Sequence, residues 1–150
     1  FLTDAPQFNG YCGIEIRGSS SQQFPKKSYG FESWNINGTS IDTSFLGMPS
    51  ESDWILNANY TDKSFLRNVL AYQLWQNMGH YGTRYQFVEL ILNNQYQGIY
   101  IFSEKIKRDK NRLNIAKLSN TQNSGDELTG GFFFLIEKQK RSGGLGWGFS

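Results

Sequence analysis

The sequence predicts an α+β fold, an antiparallel sheet with one long amphipathic helix packed on it. Aromatic residues make up 16% of the 150 residues, and such bulky, flat side chains favour strands over helices. Several segments alternate apolar and polar residues as half-buried strands do, whereas a single segment repeats its apolar residues at helical spacing. A chain with this mixture of elements is expected to place its helix on one face of its sheet.

The first strand is predicted from Tyr11 to Arg17, where apolar and polar residues alternate. The segment 18–23 has many hydrogen-bonding groups and nothing apolar to bury. We therefore expect a loop there, with backbone N–H groups open to a ligand. A second strand should follow from about Lys27 to Trp34.

Residues 36–52 contain glycine and proline among polar side chains, which indicates a long turn before a short strand from Asp53 to Asn57. A helix is predicted from about Asp62 to Met78, with Thr61 or Asp62 able to cap its start and Gly79 its end. Its apolar residues recur on one face: Phe65, Leu66, Val69, Leu70, Leu74 and Met78.

Two strands, Tyr85 to Leu92 and Gln97 to Ser103, follow the helix. Asn93 and Asn94 between them tolerate positive φ and suit the tight turn of an antiparallel hairpin. The helix is therefore flanked by three strands before it and two after it.

The last part of the chain, from Glu104 onward, contains successive segments of different composition. Glu104 to Arg112 is strongly charged, and Ser119 to Gly131 is a polar, glycine-rich loop. Gly131 to Lys138 holds a continuous apolar run, which is typical of a buried strand. Ser142 to Ser150 is glycine-rich and is interpreted as a connection cut short by the end of the sequence.

Charge and cysteine content exclude several classes of function. With 15 basic and 13 acidic side chains the net charge is +2, so no global field favours nucleic acid, and any anion site must be local. Cys12 is the one cysteine, which excludes an internal disulfide and a multi-cysteine zinc site. No apolar run reaches the roughly 18 residues that span a membrane. Because the chain begins at Phe1, a leader peptide is an open possibility, and secretion, the cell surface and the spore coat all stay open.

Several blocks along the chain resemble the CotH kinase family, which is named for a spore coat protein of bacteria. The block from Phe87 to Arg112 carries the most specific likeness. The other blocks that resemble the family are Gly13–Ser21, Phe24–Glu32, Leu46–Pro49 with Asp53–Leu56, and Asp62–Asn68. Together these blocks span almost the whole chain in the family's order.

The resemblance implies a protein-kinase small lobe that binds ATP with Mg²⁺, in an enzyme that transfers phosphate to Ser or Thr of a protein substrate. Residues 1–103 would be this lobe, 104–118 a hinge-like basic segment, and 119–150 the start of the next region. In the family, the catalytic base and the metal-holding acids lie in a C-terminal second lobe. We therefore expect no catalytic or metal residue in this chain, and no phosphoryl transfer by the chain alone.

A phosphate-binding turn is expected at the end of the first strand. Arg17 offers a guanidinium fork, Gly18 allows close backbone approach, and Ser19, Ser20 and Ser21 add hydroxyl donors. A solvated hairpin turn is the competing interpretation. The motif has neither the glycine spacing of ordinary kinases nor a Walker sequence.

Lys26 and Lys27 begin the second strand, and alternation sends them to opposite faces, so at most one can point at the ligand. We choose Lys27 for the phosphate, with a solvated surface role as the alternative. Ordinary kinases carry this lysine on the third strand, but the strand Asp53 to Asn57 contains none.

On the helix, Lys63 and Arg67 are four residues apart near the start, where the helix dipole favours anions. They are candidates for a second phosphate contact. Alternatively, Arg67 pairs with Glu89 on the neighbouring strand. Because no glutamate occurs on the helix, either Glu89 replaces the usual glutamate partner of the phosphate lysine or that pair is absent.

The hinge-like segment is expected to hold the base of the nucleotide. Backbone groups near Phe102, Ser103 and Glu104 would pair with the adenine edge, while the basic residues that follow face an acidic substrate or the second lobe. The alternative is a solvated charged face.

A different function is a non-catalytic surface module that binds a protein or glycan. Its natural contacts would be exposed Trp34, Trp75 and Trp147. The single histidine, His80, has no neighbouring ligand residue and is interpreted as a helix-end residue rather than a metal ligand or base.

Overall fold

The computed structural model describes residues 8–116, 121, 124–125, 136–141 and 144–149. It divides the chain into two compact units. The first runs to Lys107 and includes Asn111–Leu113, and the second comprises Arg108–Lys110 with Asn114–Ser150.

The first unit contains five strands and one α-helix. Its elements are β1 (Tyr11–Arg17), a short 3-10 helix (Ser20–Gln23), β2 (Ser28–Trp34), β3 (Asp53–Asn57), α1 (Leu66–Asn77), β4 (Tyr85–Leu92) and β5 (Gln95–Glu104). The sheet has the order β1-β2-β3-β5-β4, with every neighbouring pair antiparallel. The predicted α+β fold is confirmed.

The hairpin of β4 and β5 turns where the sequence predicts, since Asn93 and Asn94 have φ of 52° and 60°. β5 is longer than expected at both ends and includes Glu104, which pairs with Trp54 of β3. This extension places the last residues of β5 inside the sheet, between β3 and β4.

The second unit contains a hairpin of β6 (Ile136–Arg141) and β7 (Gly144–Phe149). The connection expected at the end of the chain was wrong, because most of it is strand β7. Glycine there alternates with bulky apolar residues, and this period of two is a strand signal that the glycine content obscured. Most of the apolar run expected to form a buried strand from Gly131 lies outside the described residues.

The core of the first unit covers one face of the sheet. Trp54 and Phe102 stack with ring centroids 5.2 Å apart, and Tyr100 and Leu56 are buried beside them. The long turn before β3 covers this face, because Phe45 packs edge-on against the Trp54 ring at 5.4 Å. The turn therefore supplies the second layer over this face, and the opposite face of the sheet is left for other contacts.

Helix α1 lies against that opposite face. The side of the helix that faces the sheet is not the apolar side that the sequence predicts. Only Val69 is buried in α1, while Tyr72 and Gln76 are half-buried on the same side. Tyr72 lies 6.2 Å from the Tyr85 ring, and the Gln76 side-chain amide donates to the Gly82 carbonyl at 2.8 Å.

The apolar side predicted to face the sheet is largely exposed. Four of its members, Leu66, Leu70, Leu74 and Met78, are 48–63% exposed. Two polar anchors decide the orientation instead, Gln76 at one end and Asp62 at the other, where Asp62 accepts the N–H of Arg67 at 3.0 Å. Among the described residues, no helix is long and apolar enough to cross a membrane.

Candidate functional site

A groove of about 500 Å³ lies on the face of the sheet opposite the aromatic core. Gly30 on β2 projects no side chain into the groove, whereas the Trp34 indole covers Gly13 on the neighbouring strand. The register sets Glu15, Gly30 and Ile55 side by side across three strands. Arg17 lines one part of the groove and Lys105 another, so it extends from the end of β1 to the residue that follows β5.

Arg17 is a cation of this groove that forms no direct ion pair, although Glu15, Glu32 and Asp53 also line the groove. Its guanidinium makes no ion pair and no hydrogen bond with any described residue. Burial raises the pKa of the Tyr72 hydroxyl, and the positive charge of Arg17 partly opposes that rise, so the guanidinium acts on the inner side of α1. A cation without a counter-ion in a concave surface is suited to an anionic ligand.

The serine-rich turn after β1 is more ordered than the predicted loop. Gly18 has φ of +109°, a conformation that favours glycine, and Ser20–Gln23 form a 3-10 helix. The Gln22 side-chain amide closes the turn onto the Gly18 carbonyl at 2.5 Å. The N–H groups of Ser19, Ser20 and Ser21 nevertheless donate to no acceptor among the described residues, so the turn presents free donors.

Lys27 stabilises this turn through hydrogen bonds from its side chain. Its Nζ donates to the carbonyls of Gln22 at 2.8 Å and Phe24 at 2.6 Å. Lys26 points elsewhere, since its Nζ donates to the Ile99 carbonyl and lies 4.3 Å from the Tyr100 ring centroid. The two lysines diverge, but both precede β2, which begins at Ser28, so strand alternation is not the cause. Two N–H bonds of Lys27 are already used within the fold.

Arg67 and Glu89 are not brought together. The Arg67 side chain is 80% exposed and lies 4.0 Å from Asp62, while Glu89 accepts a hydrogen bond from the Tyr96 hydroxyl at 3.0 Å. The expected pair fails to form because Arg67 stands on the outer side of α1, beside the carboxylate that caps the helix. Neither residue lines the groove.

Ser103 and Glu104 are buried inside β5 rather than presented to a ligand. The Glu104 N–H donates to the Arg84 carbonyl at 3.1 Å, and its carboxylate lies 2.7 Å from the Arg84 guanidinium. The expectation that these backbone groups face a base differs from the structure because β5 continues through Glu104. The first residue beyond the strand with no hydrogen bond to any described residue is Ile106.

An ion-pair network ties the residues after β5 back to the start of β3, and sequence reasoning missed it. We call Lys105–Lys107 with Asn111–Leu113 the strap. Lys107 Nζ lies 2.6 Å from a carboxylate oxygen of Glu51 and of Asp53, and Lys105 Nζ lies 3.1 Å from Asp53.

The network shifts the titration of its members. Burial would raise the pKa of Asp53, but hydrogen bonds and charges from Lys107 and Lys105 outweigh burial and hold that pKa below its ordinary value. Burial would lower the pKa of Lys107, but the two carboxylates beside it outweigh burial and raise it. Each charged form is therefore stabilised by the folded state.

Arg112 is the buried member of this ion-pair network. Its side chain is fully buried and lies 3.6 Å from Glu51 and 3.9 Å from Glu104, and it donates to the Lys105 carbonyl at 2.7 Å. The charge run that contains it resembles a solvated face, and its partners are distant in the chain. No local pattern could have revealed this pairing.

The described residues do not fit Mg²⁺. No group of three or more His, Cys, Asp or Glu side chains within them is placed to hold a metal ion. The carboxylates nearest the strap, Glu51, Asp53 and Glu104, are already paired with lysine or arginine. A divalent cation would have to displace these cations before it could use the same oxygens.

The three tryptophans expected to be exposed contacts differ in their surroundings, and Trp34 is half-buried. Trp34 lines the groove, where its indole N–H donates to Glu32 at 2.7 Å. Trp75 is 48% exposed on α1 and stacks on His80 at 4.1 Å between ring centroids. The side chain of Trp147 lies outside the described residues.

A protein-family model described as CotH kinase protein matches residues 14–138. The match includes all the strands and the helix of the first unit except the first residues of β1. No curated protein matches the chain.

Proposed function

The chain belongs to the CotH kinase protein family, and we propose that the groove on its five-stranded sheet binds the ATP of a protein phosphotransferase. In this proposal the whole enzyme transfers the γ-phosphate of ATP to Ser or Thr of a protein substrate. The described residues of this chain bind and orient the nucleotide. The base and the metal-holding acids belong to the second lobe that the family resemblance implies.

The observation that carries the proposal is the Arg17 guanidinium, which lines the groove and forms no ion pair or hydrogen bond with any described residue. Phosphoryl transfer requires little covalent work from the protein. It requires that the phosphates be held in line and their negative charge be neutralised. Arg17 meets the second requirement, and the free N–H groups of Ser19–Ser21 supply donors next to it.

The opposite end of the groove suits a base. Lys105 lines the groove there, and the backbone N–H and C=O of Ile106 directly after it have no partner among the described residues. An adenine edge offers one donor and one acceptor to such a backbone pair. The proposal therefore assigns base contact to Ile106, while Ser103 and Glu104 hold the strand that precedes it.

The supporting residues have distinct tasks in this proposal. Lys27 holds the serine-rich turn through the carbonyls of Gln22 and Phe24, so it acts on the phosphates by positioning the turn. Arg67 and Glu89 lie away from the groove lining and are left out of the site.

Calorimetric titration of the chain with ATP tests the proposal. We expect binding that weakens by about tenfold or more in Arg17→Ala, because a charge-assisted contact to phosphate contributes about 1.5–3 kcal/mol. Arg108→Ala, which removes the same charge from an exposed position outside the groove, is the matched control and should leave the affinity unchanged. Equal ATP affinity in the unaltered chain and Arg17→Ala would remove the turn from the site.

The titration also separates the two functions. A non-catalytic module that binds a protein or glycan has no use for the groove, so it would show no ATP binding and no effect of Arg17→Ala. Titration with and without Mg²⁺ adds a second readout, because a site whose metal ligands lie elsewhere should bind ATP in both conditions.

A further inference from the structure

The groove contains one carboxylate, that of Glu15, that no described residue neutralises. Glu32 and Asp53 also line the groove, but both have partners. Glu32 accepts the indole N–H of Trp34 at 2.7 Å, and Asp53 lies 3.1 Å and 2.6 Å from two lysine amines. The Glu15 side chain, by contrast, forms no ion pair and no hydrogen bond with any described residue.

Glu15 lies inside the groove because Gly30 leaves room for it. The two residues are paired across β1 and β2. A Cβ built on Gly30 would lie 3.2 Å from Oε1 and 3.2 Å from Cγ of Glu15. The Glu15 side chain therefore lies across the neighbouring strand, on the floor of the groove, and its residue is exposed to solvent and to a ligand.

Glu15 also stands close to the cation proposed to bind phosphate. Arg17 is two residues along β1, so it points to the same face at a Cα distance of about 6.6 Å. The two opposite charges nevertheless form no ion pair. A carboxylate at this place repels phosphate, so a bound nucleotide must offer it hydrogen-bond donors.

The strand register shows which part of a nucleotide would meet Glu15. The groove consists of three successive rows of residues, about 6.6 Å apart along the strands. The first row holds Arg17, the second holds Glu15 beside Gly30, and the third holds Asp53 in contact with Lys105. With the phosphates at Arg17 and the base beyond Lys105, the ribose that joins them lies at the middle row.

We infer that Glu15 accepts hydrogen bonds from the ribose hydroxyls of the bound nucleotide and makes the site selective for ribonucleotides over 2′-deoxyribonucleotides. The inference rests on the proposed function and deepens it, because it names a residue that determines specificity in the same groove. The 2′- and 3′-hydroxyls of a ribose supply two O–H donors, and a carboxylate supplies two acceptor oxygens.

The selectivity follows from what a deoxyribose leaves unpaired. Without the 2′-hydroxyl, the Glu15 carboxylate loses a donor and keeps its repulsion of the phosphates. A site that is built to bond a hydroxyl rejects an analogue that lacks it. Because Glu15 is exposed, water replaces part of the lost hydrogen bond, and the expected preference is moderate.

Calorimetric titration with ATP and with 2′-deoxy-ATP tests the inference. The unaltered chain should bind ATP roughly tenfold more tightly than 2′-deoxy-ATP. Glu15→Ala should bring the ratio of the two affinities close to one. Glu15→Gln should retain part of the preference, because the amide oxygen still accepts a hydrogen bond. A purely structural role for Glu15 would weaken both nucleotides equally and leave the ratio unchanged.

Two control variants show whether the effect belongs to Glu15. Glu89→Ala removes the same charge from an exposed position on β4 outside the groove, and it should leave both affinities unchanged. Glu32→Gln removes a carboxylate charge from the third row of the same groove, and it should keep the preference for ATP. Loss of the preference in Glu32→Gln but not in Glu15→Ala would overturn the assignment to Glu15. Thermal unfolding of each variant checks that it is folded.

The outcomes separate this inference from the proposed function. If the unaltered chain binds ATP and 2′-deoxy-ATP equally, the inference is overturned and the proposed function stands. The same holds if Glu15→Ala strengthens the binding of both nucleotides equally, because Glu15 would then only repel phosphate. If neither nucleotide binds, the proposed function is overturned and the inference falls with it.

Discussion

Arg112 is a charged side chain enclosed by the interior of the first unit. Its guanidinium lies 5.0 Å from the Trp54 ring centroid, and its Nε and one terminal nitrogen have no hydrogen-bond partner among the described residues. A buried charge is tolerated when opposite charges surround it, and Glu51 and Glu104 do so at 3.6 Å and 3.9 Å. The strap is therefore held by one side chain that joins two acids.

Replacing Arg112 by methionine should lower the free energy of unfolding by about 3–5 kcal/mol, because two buried carboxylates lose a shared counter-charge. Urea denaturation measures the change. Lys105→Met is the control from the same strap, and because its side chain is 54% exposed the loss there should stay below about 1 kcal/mol. If both variants lost the same free energy of unfolding, the buried role of Arg112 would be contradicted.

At the scale of single elements, α1 differs from an ordinary amphipathic helix. Its inner side carries Val69, Tyr72 and Gln76, and much of its apolar surface is exposed. Hydrogen bonds from Gln76 to the carbonyls of Gly82 and Thr83 fix its rotation. The helix is thus positioned by polar contacts at its ends rather than by its most apolar side.

Val69→Ala and Leu70→Ala test this orientation in adjacent residues. Val69 is 8% exposed, so its truncation should lower the free energy of unfolding by about 2 kcal/mol. Leu70 is 62% exposed, so its truncation should change that free energy by less than about 0.5 kcal/mol. Urea denaturation that ranked the two in reverse would show that Leu70 faces the core.

The contact between β3 and the strap should make stability depend on pH. Asp53 has a lowered pKa in the folded state, so its contribution is present above the unfolded value of 3.8 and is lost as the pH falls below it. Lys107 has a raised pKa, so its contribution is present below the unfolded value of 10.5 and is lost as the pH rises beyond it.

Urea denaturation from pH 2.5 to pH 7 measures how the free energy of unfolding declines in acid. Asp53→Asn should lower stability near pH 7 and flatten its decline in acid, because the titrating carboxylate is gone. Asp42→Asn, at an exposed position outside the network, should reproduce the decline of the unaltered chain. If the free energy of unfolding of Asp53→Asn declined in acid as that of the unaltered chain does, Asp53 would be excluded as the source of the decline.

At the scale of the whole unit, the two faces of the sheet differ in role: one face packs the core that stabilises the fold, and the other holds the groove proposed to bind ATP. One face carries the aromatic core under the long turn, and the other carries the groove and α1. Gly30 stands at the centre of the second face, between Glu15 and Ile55. Filling the groove at Gly30 should therefore affect a ligand more than the fold.

Gly30→Val should weaken ATP binding by about tenfold or more while the chain stays folded. A Cβ at this position would approach the flexible end of the Glu15 side chain at 3.2 Å, which can move aside. Gln86→Val adds the same side chain to an exposed strand position outside the groove and is the control. Titration with ATP beside thermal unfolding checks both expectations, and retained ATP affinity in Gly30→Val would move the nucleotide elsewhere.

Local patterns in the sequence were sufficient for the bounds of β1, β3 and β4 and for the β4–β5 turn, but not for β7. Alternation depends only on neighbouring residues, so β1, β3 and β4 begin and end where the pattern predicts. The position of Arg17 at the end of β1 follows from the same pattern, whereas its role in binding stays a prediction. The family resemblance was readable too, since its blocks follow one another along the chain.

Tertiary structure decided which side of α1 faces the sheet, which lysine supports the turn and which charges are buried. Spacing defines the sides of a helix but not the surface that it meets, and here Gln76 and Asp62 select a less apolar side. The pairing of Glu51 with Arg112 joins residues far apart in the chain, so it exists only after the sheet brings β3 and the strap together. Ionic contacts of this kind depend on distance in space, and no local sequence pattern encodes that distance.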